Sequence, residues 1–96
     1  LCTNSVLLLG AARAARECGL ECPRDISLIC FDNPAWTEHF PPAITTLAQP
    51  KGEIARRAID LLLARVDKKE ESLAEPLLEW FKDELVVRES TGPAPP

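Results

Sequence analysis

The feature that most constrains this chain is the order of its first three segments: an apolar end, a small-residue helix and a second apolar run. Leu1-Cys2-Thr3 reads as the end of a strand, and Thr3, Asn4 and Ser5 offer capping oxygens to a helix over Val6–Cys18. Gly19 suits the left-handed position that stops such a helix, with Leu20 folding back onto it. Cys22-Pro23-Arg24-Asp25 is a turn. Ile26–Phe31 is apolar except for Ser27, as expected of a parallel strand covered on both faces. Strand, helix and strand form a βαβ unit, whose crossover is right-handed in nearly every known case. The fold class is therefore α/β.

Pro34, Pro41 and Pro42 keep the next segment irregular, and Ile44-Thr45-Thr46-Leu47 is β-branched and extended. Pro50 suits a first helical turn, and Lys51–Val66 is a helix. Its apolar stripe is Ile54, Ala58, Leu62 and Val66, flanked by Ala55, Ile59 and Leu63, with Glu53/Arg57 and Arg56/Asp60 as outer ion pairs. Asp67–Glu75 is a solvated charged loop. Pro76–Phe81 and Glu84–Arg88 read as two short strands or one interrupted strand, and Ser90–Pro96 as a tail with no core to make.

Several function classes fall away. Residues 1–50 carry three basic and five acidic side chains and residues 51–96 eight and ten, so neither half offers a basic surface to a phosphate backbone. No uncharged apolar run approaches the roughly 20 residues of a membrane span, and Leu1–Ala15 lacks the basic start of a signal peptide. The expected localisation is cytoplasmic. Cys2, Cys18, Cys22 and Cys30 lack metal-ligand spacing, and His39 is the single histidine. No metal and no cofactor is expected. No GxSxG, HExxH or glycine-rich phosphate loop occurs, so the chain is not read as an enzyme. It starts at Leu1 and contains no Met, and is read as a fragment.

What remains is the acid and amide, Asp32-Asn33, delivered where the second strand ends. In open parallel sheets ligands sit beyond the carboxyl ends of the strands. A βαβ unit puts Asn4 and Asp32 on the same edge, where a carboxylate and an amide suit the vicinal hydroxyls of a sugar. The same residues have a purely local use, with Asn4 capping a helix and Asp32-Asn33 making an Asx turn.

TNSVLLLGAARAARECGLECPRDISLICFDN, FPPAITTLAQP, IARRAIDLLLARV and ELVVREST, in that order from Leu1 to Thr91, resemble the LacI/GalR family of bacterial transcriptional regulators. The resemblance implies the C-terminal part of a two-lobed effector-binding core, a partial type I periplasmic-binding-protein-like fold. Residues 1–43 and 76–91 would belong to the C-terminal lobe, 50–66 to a helix of the N-terminal lobe, and 92–96 to a disordered tail. Between them, Pro41–Gln49 would cross from lobe to lobe. It further implies effector contacts at Asp32, Asn4 and Gln49, and dimer contacts at Leu9 and Phe40, with Trp36 and His39 near the subunit boundary. The partners implied are a sugar-like small-molecule effector, a second copy in a homodimer, and operator DNA through an N-terminal domain absent from this chain. No membrane partner is implied. An exported sugar-binding protein of a transport system shares the fold and stands as the alternative.

Overall fold

The computed structural model describes residues 1–67 and 76–96. In chain order its elements are α1 (Ser5–Glu17), β1 (Ile29–Phe31), α2 (Trp36–His39), β2 (Thr45–Ala48), α3 (Lys51–Val66) and β3 (Glu84–Val86). They separate into two compact units, residues 1–49 with 83–96, and residues 50–82. The charged run at 68–75 lies outside the described residues.

In the first unit, the βαβ expectation holds. Cys2 bridges Cys30 in parallel on one side of β1, with α1 as the crossover. On the other side β1 runs parallel to β2, Phe31 opposite Leu47. The C-terminal β3 closes the three-stranded sheet antiparallel to β2, Thr46 opposite Val86. Among the three candidate caps, Asn4 begins α1, its Oδ1 accepting the Leu7 amide at 2.9 Å. The helix stops at Gly19, whose φ of 70° is the left-handed value a glycine tolerates without steric cost. The Gly19 and Leu20 amides then donate to the Arg16 and Ala15 carbonyls at 3.0 and 2.8 Å, the paired bonds of a Schellman end. The core that fixes α1 on the sheet is Leu8, Leu28, Cys30 and Ile44, with Cys2, Ala11, Ala12, Cys22, Trp36 and Phe40 packed around it.

Four sequence expectations need correction. Of Ile26–Phe31 only Ile29–Phe31 is strand. The Leu28 amide donates to the Ser90 carbonyl and Ser27 pairs with Gly92, so the strand's first half is tied to the chain's C-terminal segment instead of a ladder. The proline-rich segment contains α2, because Pro34 precedes the helix, where it has no amide to lose, and Pro41 follows its end. Phe40 is extended at φ −72°, ψ 135°, as a residue before proline must be. Residues 76–82 form no strand, so the bulky Trp80-Phe81 pair precedes the sheet instead of joining it. Ser90, expected to open a coreless tail, is fully buried. Its hydroxyl donates to the Leu28 carbonyl and accepts the Thr45 amide at 2.8 Å, joining the approaches to β1 and β2.

In the second unit α3 forms where expected but buries none of its residues. Ile59, Leu62, Leu63 and Val66 are 54–67% exposed. Arg57 reaches Glu79, with Nε to Oε1 at 2.7 Å and Nη2 to Oε1 at 2.6 Å. That guanidinium holds the Glu79 carboxyl below its ordinary range. Its contribution is therefore present above the usual carboxylate range and lost as pH falls through the depressed value. An NMR titration should place the Glu79 midpoint below a typical glutamate, and Arg57→Gln should return it to the ordinary value.

Candidate functional site

Three chain segments, Leu1-Cys2, β1 and β2, run in the same direction and end along one edge of the sheet. The residues that follow these ends are Asn4, Asp32 and Gln49. Neighbouring strands lie about 4.8 Å apart, so this edge has the scale of a small polar molecule. The structure thus brings the three sequence-predicted residues to one edge. Asn4 is exposed, and Asp32 and Gln49 are half-buried.

Asp32 is the unusual member. Its amide donates to the Leu47 carbonyl at 3.1 Å, continuing the β1–β2 ladder by one bond. Its φ is 137°, a region that L side chains rarely occupy. Holding a non-glycine residue there costs on the order of 1–3 kcal/mol, and such outliers cluster at ligand sites. Its Oδ1 accepts the Asn33 amide at 2.9 Å. That local bond occupies one of the roughly four acceptor positions of a carboxylate. A part in a local turn does not by itself preclude a ligand contact. The same holds for Asn4, whose Oδ1 serves the helix cap while its amide hydrogens are donors.

Asn33 has a different task. Its Oδ1 accepts from the Thr46 hydroxyl at 3.0 Å and from Arg88 Nη1 at 3.0 Å. Thr37 and Thr46 are fully buried beside it. Sequence reasoning passed over this network. The available signal was an arginine directly after the apolar Leu85-Val86-Val87 run, together with threonines set among aliphatic and aromatic neighbours.

Leu9 and Phe40 lie together on another part of this unit. They line a groove of about 310 Å³ whose walls include Ala12, Arg16, Pro41 and Pro42. Phe40 meets Trp36 edge to face, with ring centroids 5.8 Å apart. Trp36 is thereby used in packing, against Phe40 and the core cluster. The cysteines carry free thiols, and burial pushes Cys22 and Cys30 above the ordinary thiol value. Among the described residues no group of His, Cys, Asp and Glu is placed to hold a metal ion, and no helix is long and apolar enough to cross a membrane.

Comparison with known proteins agrees with this architecture. Residues 1–91 match the model of the periplasmic binding protein-like domain. The HTH-type transcriptional repressor PurR of Klebsiella pneumoniae strain 342 is 46% identical over 72 residues, 74% of this chain and 21% of the relative. That of Pasteurella multocida strain Pm70 is 40% identical over 89 residues, 93% of this chain and 26% of the relative. The chain therefore spans about a quarter of the length of these curated relatives. Among solved structures, a LacI family transcriptional regulator from Enterococcus faecium with bound ribose superposes with a TM-score of 0.74. It is 32% identical, over 97% of this chain and 34% of that one. The chain belongs to the periplasmic binding protein-like domain family, and within it matches the effector-binding region of LacI/GalR-type transcriptional regulators.

Proposed function

We propose that this chain senses a small-molecule effector and mediates dimerisation within a DNA-binding transcriptional repressor. The observation that carries the reading is Asp32, held at a φ of 137° where three parallel segments end on one edge with Asn4 and Gln49. A carboxylate accepts the hydrogens of vicinal hydroxyls, and flanking amides both donate and accept, which suits a sugar or sugar derivative. The ribose bound to the Enterococcus faecium relative supports that class. A purine base edge, which also pairs donors with a carboxylate, is the competing chemistry.

In this reading residues 1–43 and 76–91 belong to one lobe and α3 to the other. The described chain divides at Gln49 and Asp83, which supports a separate unit for α3 but puts residues 76–82 with α3 instead of with the first unit. Leu9 and Phe40 supply the homodimer contact through their shared groove. Operator DNA is read by a separate domain, since neither half of this chain is net basic, and the protein works in the cytoplasm by binding, not by catalysis. The repressor relatives support this over export for a transport system.

The effector shifts the balance between operator-competent and incompetent dimers, so its binding energy is coupled to operator affinity. Calorimetric titration of the full-length gene product with ribose and with guanine tests this. One of the two should bind saturably and change operator affinity, with operator DNA changing the ligand's affinity by the same factor. Failure of both ligands to bind would remove the proposal's support.

A further inference from the structure

We propose that Arg88 is a positioning residue for the effector edge: its guanidinium holds the Asn33 amide oxygen and so fixes the turn that presents Asp32. The inference rests on the effector-binding reading of Asp32. Arg88 is itself anchored, its backbone amide donating to Thr45 Oγ1 at 2.9 Å on β2. From there Nη1 meets the Ile44 carbonyl at 2.9 Å, Asn33 Oδ1 at 3.0 Å, Thr37 Oγ1 at 3.2 Å and Thr46 Oγ1 at 3.4 Å. These oxygens are neutral and come from β2, its approach, the turn after β1, and α2. The two hydrogens of Nη1 serve the two shortest contacts, so Asn33 is a principal partner.

The hydroxyl hydrogens complete the scheme. Thr46 Oγ1 donates to Asn33 Oδ1 at 3.0 Å, and Thr37 Oγ1 donates to the Pro34 carbonyl at 2.6 Å. Both sides of the turn at 33–34 are thereby clamped, one residue beyond Asp32. A backbone held in an unfavourable conformation persists only where its surroundings over-determine it. Arg88 and its partners provide that constraint at Asn33, beside the ladder bond that Asp32 itself makes to Leu47. Lysine offers a point charge without the planar guanidinium fork, so it cannot reproduce the geometry.

The test uses Arg88→Met, Arg88→Lys and Asn33→Ala in the full-length gene product, titrated with ribose and guanine. Arg88→Met should weaken the bound ligand roughly tenfold, the loss of about one hydrogen bond's worth of positioning, with Arg88→Lys intermediate. In the Asn33→Ala background, Arg88→Met should change Kd less than twofold, because the path through Asn33 is already cut. A lower Tm with unchanged Kd, or additive losses with Asn33→Ala, would make Arg88 merely structural and overturn the proposal. If the unsubstituted protein binds neither ligand, the effector reading fails separately, and amide hydrogen exchange decides this one. Exchange at Asp32 and Asn33 should then rise roughly tenfold in Arg88→Met, or in Arg88→Lys if the former does not fold, with Cys30 unmoved. Unchanged exchange would overturn it.

Discussion

Replacing Asp32 by alanine should weaken effector binding about 10- to 100-fold, the 1.5–3 kcal/mol expected of a charge-assisted hydrogen bond to a ligand. Basal operator affinity should not change, because Asp32 stands at a sheet edge and its loss leaves the core of Leu8, Leu28, Cys30 and Ile44 intact. Asp32→Gly sharpens the prediction. Glycine tolerates a φ of 137° far better than aspartate does, so this variant should gain on the order of 1 kcal/mol of stability while losing the ligand. Stability and function then move in opposite directions at one position. Calorimetry for Kd and thermal unfolding for Tm check both. Unchanged effector affinity in Asp32→Ala would remove Asp32 from the site.

The second large effect concerns α3. Its stripe of Ile59, Leu62, Leu63 and Val66 is 54–67% exposed in this chain. Contiguous apolar surface of this kind marks a face that another part of the protein covers, or a liability to aggregate. Produced alone, the chain should bind a fluorescent hydrophobic dye and show no cooperative urea transition. Leu62→Lys should then have effects of opposite sign. It should improve the solubility of the isolated chain, yet cost the full-length product about 2–4 kcal/mol if a further part of the protein covers this leucine there. A cooperative transition in the isolated chain, or a full-length product indifferent to Leu62→Lys, would show that α3 needs no further cover.

The sequence was most informative where local chemistry and tertiary demand agree. Asn4, Gly19 and Leu20 carry the signals of a capped helix start and a Schellman stop, and the structure uses all three as expected. Periodicity marked α3 to within its observed ends. Short strands were harder. Whether Ile26–Leu28 joins a ladder depends on Ser90, more than 60 residues away in the chain, and no local window contains that residue. α2 was hidden because prolines were read as breakers, although Pro34 and Pro41 only bracket it.

The candidate site shows the same division. Asp32 and Asn4 are visible because strand ends in a βαβ unit share an edge, which is a consequence of topology alone. Gln49 came from family resemblance. Arg88 left only the weak signal of an arginine after an apolar run, because its value lies in reaching Asn33 across 55 positions, a contact that only the folded sheet creates.

If this chain is the effector-binding part of a transcriptional regulator, the reading frame upstream of the Leu1 codon will show it. Sequencing that frame should reveal the remainder of a two-lobed core, preceded by a hinge and a helix-turn-helix. A secretion signal peptide in that place, with no DNA-binding domain, would contradict the account and make the protein an exported binding receptor.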